Sequence, residues 1–253
     1  LENKVYQASS ITKLTREQKR SLSSIIDMMD RCDVNPRALL LNGVTGSGKT
    51  EVYIEAVNHC IKLGKKAIVL VPEIALTPQT IDRFASRFPG QVAVMHSGLT
   101  LGERFDQWTK IRNGDYNVVI GSRSAIFAPI DSLGLVIIDE EHEWTYKQSD
   151  QHPKYHARTV AEYLSKMYGV TLLIGSATPD ISTYRSALFN RYELLELTKK
   201  ISQSVTAFPS KSNTKVNIVD MREERAVGNH EMFSRYLIGE IRSALVDNGK
   251  VIL

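Results

Sequence analysis

Cysteine is almost missing from this chain: only Cys32 and Cys60 occur in 253 residues. Two cysteines cannot build a disulfide scaffold or a four-ligand zinc site, and a reducing compartment is the expectation. Charge of one sign is also short. The 32 Lys and Arg exceed the 28 Asp and Glu by only four, too little to imply nucleic acid by itself. Long apolar runs are lacking. None approaches the ~18–20 residues that cross a bilayer, so no membrane partner is expected. No basic, apolar, small-residue opening marks a secretory signal. Neither internal repeats nor low-complexity tracts appear, which excludes a collagen-like fibre, a coiled coil or a disordered tail. What remains is ordinary globular composition, 42% hydrophobic and 24% charged, enough for one domain or one and part of another. The chain opens at Leu1 instead of Met and stops inside the apolar run Val251–Leu253. A piece of a longer protein is the expectation.

Short apolar, β-branched runs alternate with helix-length amphipathic segments. The runs are Ala38–Leu41, Ala67–Val71, Val92–Met95, Val118–Ile120, Leu135–Ile138, Val170–Ile174 and Tyr192–Leu197. Several have no polar alternation, as expected of strands buried on both faces of a parallel sheet. The predicted fold is therefore α/β, a mainly parallel sheet with helices on both faces. Thr15 with Gln18 and Thr100 with Glu103 have capping-box spacing; Thr77-Pro78 supplies an N-cap and an N1 proline. Gly64 and Gly114 read as helix stops. Residues 1–13 are expected to form a tail, 14–200 the main α/β lobe and 201–214 a Ser/Thr/Lys-rich linker. Residues 215–253 open a second α/β unit, with strands at Val216–Val219 and Val251–Leu253 and a helix at Ser234–Asp247.

Chemistry enters at Gly43-Val44-Thr45-Gly46-Ser47-Gly48-Lys49-Thr50, a full match to the phosphate-loop pattern G-x-x-x-x-G-K-[ST] between a strand and a helix. Gly43, Gly46 and Gly48 let the backbone curl so that N–H groups, those of Thr45 and Ser47 included, converge on an anion at the positive end of a helix. Lys49 is expected on the β- and γ-phosphates and Thr50 on Mg²⁺. Leu135–Ile138 then delivers Asp139-Glu140-Glu141-His142 at a strand end, where a Mg²⁺-holding carboxylate belongs. Asp139 is the expected metal carboxylate. Glu140 is expected to orient or deprotonate the attacking water. A glutamate directly after the metal aspartate favours ATP hydrolysis over kinase or small-GTPase chemistry.

Gly175-Ser176-Ala177-Thr178-Pro179 follows another buried strand. The hydroxyls of Ser176 and Thr178 are expected to reach His142 and sense the γ-phosphate; the plainer alternative is a helix N-cap. Between them, residues 143–158 hold Trp144, Tyr146, Lys147, Lys154, Tyr155 and Arg158. Histidines 142, 152 and 156, half of the chain's six, lie in or beside this stretch. Such a loop is poor core material and suits base stacking and phosphate neutralisation. A protein-contact patch and a histidine zinc site stay open as alternatives. Three loops after strands, Pro72–Thr77, His96–Gly98 and Gly121–Ala125 with Arg123, are candidates for gripping a phosphate backbone.

This set resembles superfamily-two helicases of the D-E-x-H type, and among them the bacterial primosomal replication-restart helicases. The text that carries it includes Leu14–Gln18, Gly43–Thr50, Val71–Gln79, His96–Leu99, Gly121–Pro129, Asp139–Gln148, Lys154–Arg158, Gly175–Pro179 and Ile218–Arg222. The resemblance implies a RecA-like P-loop NTPase lobe, ATP and Mg²⁺ as cofactors, and 3′→5′ translocation on DNA. Forked and single-stranded DNA, primosome proteins and single-strand-binding protein are the implied partners, in a bacterial cytoplasm at the nucleoid. It also implies that Trp144–His156 couples DNA contact to hydrolysis and that Gln18 reads adenine, beside its capping role. Modules before Leu1, and a second lobe after Leu253 with zinc-binding cysteines and an arginine finger, are implied too. Because such a finger contributes ~10³–10⁵ in rate, this piece alone is expected to bind ATP and turn it over slowly. A nucleotide-dependent protein-binding switch, or another phosphoryl-transfer enzyme, is the rival reading.

Overall fold

The computed structural model describes residues 13–31, 38–150, 152–201 and 216–252. Cys32, the linker at 202–214 and nearly all of the tail lie outside them. The chain divides between 202 and 203 into two compact units.

Among its described residues the first unit holds seven strands: β1 (Ala38–Gly43), β2 (Lys66–Leu70), β3 (Val92–Met95), β4 (Val118–Gly121), β5 (Leu133–Ile138), β6 (Thr171–Ser176) and β7 (Glu193–Leu197). Their order is β3-β4-β2-β5-β6-β1-β7, and every pairing is parallel. Each apolar run of the first unit forms its expected strand, shifted at most two residues at either end. The cause is hydrophobic burial on two faces. Leu39 and Leu41 point into one apolar layer with the helices α1 (Arg16–Asp30), α2 (Lys49–Lys62) and α3 (Pro78–Arg87). Leu40, between them, points into the other, with α4 (Leu101–Asn113), α5 (Ala157–Tyr168) and α6 (Ile181–Leu188). A strand that buries both faces has no use for alternation.

Helix ends follow the local chemistry. Thr15 and Gln18 form a reciprocal capping box at α1, and Thr100 with Glu103 does so at α4. Thr77 caps α3 ahead of its N1 proline. Gly114 ends α4 in the left-handed conformation at φ +86°, where a side chain would be strained.

The second unit departs from expectation. Among its described residues are two helices, α7 (Met221–Ala226) and α8 (Arg235–Val246), and no strand. The predicted helix at 234–247 is α8, capped by Ser234. The predicted strand at 216–219 is absent: Val216 and Ile218 are 78% and 94% exposed. Residues 251 and 252 are not strand either, and 253 is outside the described residues. An apolar run becomes a strand only by pairing, and residues 216–252 offer no partner. Helix α7 escaped notice because Met-Arg-Glu-Glu-Arg-Ala shows no apolar period; Asp220 starts it by accepting from Arg222 N–H.

Glycine 121 fixes the edge of the sheet. A Cβ there would lie 2.2 Å from the Met95 carbonyl oxygen and 2.6 Å from Ala125 Cβ. Backbone cannot yield as a side chain tip can, so Gly121→Ala is expected to destabilise the protein by about 2–3 kcal/mol, measured by urea denaturation; Gly46→Ala tests a different constraint, positive φ with no neighbour within 4 Å.

Candidate active site

The strand order sets the site's geometry. β6 lies between β1 and β5, so the loop after β1 and the acids after β5 emerge at the same edge, about 10 Å apart at ~4.8 Å per strand. Long side chains can close that gap.

The loop after β1 is curled by Gly46 at φ +80° and Gly48 at φ +78°. Gly48 is the N-cap of α2 and caps it without a side chain, leaving the first N–H groups of the helix without a side-chain acceptor. Space is tight on the inner side. A Cβ on Gly43 would meet Ser47 Oγ at 2.7 Å and Lys49 Cγ at 3.1 Å; one on Gly48 would meet Gln18 Nε2 at 2.4 Å. Thr45 and Gly46 are exposed at the tip. Lys49 is 8% exposed and its Nζ donates to the Gly43 carbonyl at 2.9 Å. Ser47 Oγ is buried without a hydrogen-bond partner, a polar group in the loop left without an acceptor.

Across β6, Asp139 donates its N–H to Leu70 O at 2.9 Å, extending the ladder one residue past β5. Glu140 then turns at φ +45°, a left-handed conformation that costs a non-glycine residue of order 1–3 kcal/mol. The turn aims its carboxylate back at the loop. Glu140 Oε1 is 3.8 Å from Lys49 Nζ, and Oε2 is 3.7 Å from His142 Nδ1. His142 Nδ1 lies 2.8 Å from Ser176 Oγ at the end of β6. Thr50 and Asp139 line one small cleft. Asp139 accepts a 2.8 Å hydrogen bond from Tyr53; burial pushes its carboxyl above the ordinary value, with the Tyr53 bond and Lys49 opposing. Burial also drives the Tyr53 phenol well above its usual value, so it stays a neutral hydroxyl that donates to the Asp139 carboxylate.

Several expected residues do something else. Tyr146 is 1% exposed and its hydroxyl donates to Asp139 O at 2.6 Å, so it stacks on no base in this structure. Trp144, two residues earlier, is 76% exposed. Arg123 turns away from solvent: its Nη1 donates to Thr145 O at 3.0 Å and Lys147 O at 2.7 Å, with its guanidinium over the Tyr155 ring. It clasps the aromatic loop where a phosphate grip was expected. Lys147 is exposed and pairs in a β-bridge with His156, whose ring caps α5 by accepting from Arg158 N–H. Thr178 reaches Ser176 Oγ through its backbone N–H, at 3.0 Å, and its hydroxyl does not meet His142. The N-cap of α6 is Asp180, so the plain capping alternative for Ser176-Ala177-Thr178 is also set aside. Gln18 is 1% exposed. Its Oε1 accepts from Thr15 N–H, and its Nε2 donates to Ser47 O and Gly48 O. That amide braces the phosphate loop and presents no edge to a base here.

Two clusters were not anticipated. Tyr53 gave no motif to read. Glu141 is the third acid of Asp-Glu-Glu-His, and its side chain is fully buried against Arg158 Nη1 at 3.0 Å. It also accepts from Thr183 Oγ1 at 3.0 Å and Asp180 N–H at 2.7 Å. One carboxylate thus ties the acidic strand end to the start of α5 and of α6.

A curled phosphate loop and an acidic strand end, at one edge of a parallel sheet, define the RecA-like class of nucleotide-binding lobe. The chain belongs to the family described as "Type III restriction enzyme, res subunit", whose model matches residues 5–181, and that membership implies nucleotide use. It is 42% identical over 252 residues to "Replication restart protein PriA" of Bacillus subtilis (strain 168), covering 100% of this chain and 30% of that protein. It is 41% identical over 243 residues to the protein of the same name from Synechocystis sp. (strain ATCC 27184 / PCC 6803 / Kazusa), covering 93% and 28%. The chain therefore spans under a third of these relatives. Among solved structures, RecG bound to a three-way DNA junction matches with TM-score 0.56 and 27% identity, over 76% of this chain and 25% of that one. A hypothetical ATP-dependent RNA helicase from Sulfolobus tokodaii matches with TM-score 0.50 and 18% identity, over 73% and 53%, and shares the fold. The resemblance to replication restart proteins holds along the whole chain.

Removing Arg158 would strand a buried carboxylate with only neutral donors. Arg158→Ala is expected to cost about 3 kcal/mol in urea denaturation, and Arg158→Ala/Glu141→Gln less than Arg158→Ala alone.

Proposed function

We propose that this chain contains the ATP-binding motor lobe of a DNA helicase that couples ATP hydrolysis to 3′→5′ translocation for replication restart and primosome assembly. The carrying observation is the convergence of phosphate loop and acidic strand end, with Lys49 Nζ 3.8 Å from Glu140 Oε1. The names of its relatives and the DNA junction in the RecG structure support the biological reading. DNA, as forks and single strands, is the proposed partner, together with primosome and single-strand-binding proteins in a bacterial cytoplasm. Residues 14–200 are the proposed lobe, and 215–253 the start of a second.

ATP with Mg²⁺ fits the donor set. The orphaned Ser47 hydroxyl, the helix N–H groups that Gly48 leaves without a side-chain acceptor and the Lys49 cation suit phosphate oxygens; Thr50 and Asp139, sharing a cleft, suit the metal. The bound nucleotide supplies a phosphoanhydride to cleave, and Mg²⁺ neutralises the charge on its oxygens. Lys49 must leave the Gly43 carbonyl to meet a phosphate; its other neighbour, Glu140, then has a free carboxylate to hold a water and accept its proton. His142 keeps Glu140 oriented and, through Ser176, links it to the end of β6. Trp144, exposed where Tyr146 is anchored, is the aromatic available for stacking on DNA.

In the full chain, Glu140→Gln is expected to retain ATP affinity and lose at least 100-fold in DNA-stimulated ATP turnover; undiminished turnover refutes its role. Lys49→Ala is expected to lose nucleotide affinity in a filter-binding assay. Trp144→Ala should keep ATP affinity and abolish stimulation by forked DNA. Stimulation equal to the unsubstituted protein would count against the coupling role and favour a protein-binding switch.

A further inference from the structure

The loop and the acids are separated by β6, and one side chain crosses that gap from the core side. Tyr53 lies on α2 one turn after Thr50, on the same helix face, and both line the cleft that Asp139 closes. It is 1% exposed, and its hydroxyl donates to Asp139 Oδ1 at 2.8 Å. To get there it passes over β6 at Gly175. A Cβ on Gly175 would stand 1.7 Å from the Tyr53 hydroxyl oxygen and 2.8 Å from its Cζ. A glycine inside a buried strand sacrifices packing and marks a close approach of another group. Here the approaching group is the phenol, and the next residue is Ser176, the partner of His142.

Leaving out the tyrosine's contact with the acid, nothing explains both features. A core tyrosine usually seeks any buried acceptor. This one takes an oxygen of the carboxylate that the proposed function assigns to the metal, through a slot that only glycine leaves open.

We infer that Tyr53 is a positioning residue for the metal carboxylate: its hydroxyl holds Oδ1 of Asp139, which would leave the other oxygen for a metal ion, and Gly175 is the complementary half of the device. The inference rests on the proposed nucleotide reading and adds a residue pair to it. Outer partners of metal ligands typically set 10–100-fold of metal affinity, and a hydrogen bond that locks a carboxylate rotamer acts in that way.

The test uses the full chain and Mn²⁺ as the probe, with a non-hydrolysable ATP analogue, read by electron paramagnetic resonance. Tyr53→Phe keeps the ring and removes the oxygen. It is expected to weaken Mn²⁺ binding at least tenfold, while affinity for the analogue in EDTA stays within about twofold. Gly175→Ala is expected to weaken Mn²⁺ similarly by displacing the phenol, and the double variant to be no worse than the weaker single one. Thermal melting of each variant separates folding from positioning. Unchanged Mn²⁺ affinity in folded Tyr53→Phe, or a lowered melting temperature alone, overturns the inference. If the unsubstituted protein binds no Mn²⁺ with the analogue, the nucleotide reading itself fails, which is a different result from a silent Tyr53→Phe.

Discussion

The ammonium of Lys49 is the hinge of the structure. It is nearly buried, and in that setting a cation must have partners. The Gly43 carbonyl accepts its hydrogen bond, and the Glu140 carboxylate supplies opposite charge at 3.8 Å. Both partners depend on the sheet. Gly43 is the last residue of β1, and Glu140 follows β5 by two; parallel pairing through β6 fixes the distance between them. A shift of one strand's register by one residue would send every one of its side chains to the other face. The alignment of Ile138 with Ile174 and of Leu41 with Gly175 is therefore what lets the two strand ends share a cation.

The surrounding side chains keep that meeting point stiff. Gln18 donates to two loop carbonyls from α1, although α1 lies far from the loop in sequence. Glu140 sits in a left-handed turn that a non-glycine residue adopts at a cost. The strain is held by what flanks it: Asp139 is paired to Leu70, and Glu141 N–H donates to Gly175 O. With both neighbours fixed to adjacent strands, Glu140 has no freedom to relax.

The sequence made the layers legible because each strand buries both faces, and an unbroken apolar run has few other uses. It made the phosphate loop legible because positive φ at Gly48 and the close approaches at Gly43 and Gly48 strongly favour glycine. The limits are equally physical. Strands at 216–219 and 251–253 were inferred from apolar character, but a strand is a pairing and no partner exists among 216–252. Arg123 looked like a phosphate grip because composition does not say where a guanidinium points. Tyr53 and Glu141 were invisible as site residues since their contacts, to Asp139 and to Arg158, span 86 and 17 positions. The burial of Tyr146 has a subtler reason. An aromatic in a polar loop suggests exposure, yet the loop turns so sharply after Glu143 that residue 146 folds under it while 144 stays outside.

That turn gives the aromatic loop mechanical meaning. Tyr146 hangs from the Asp139 carbonyl, and Arg123 holds the carbonyls on either side of it, at 145 and 147. Arg158, at the far end of the loop, is pinned to Glu141. The loop thus has three attachments, two of them directly on the acidic strand end. A side chain as exposed as Trp144 can be displaced by a ligand without unfolding anything. Any such displacement large enough to move residues 145–147 must break or strain the Tyr146 bond, and so act on the backbone of the residue whose carboxylate faces the phosphate loop. Coupling of this kind needs no long pathway. It needs only that the exposed and the buried aromatic be two residues apart on a segment too short to bend between them.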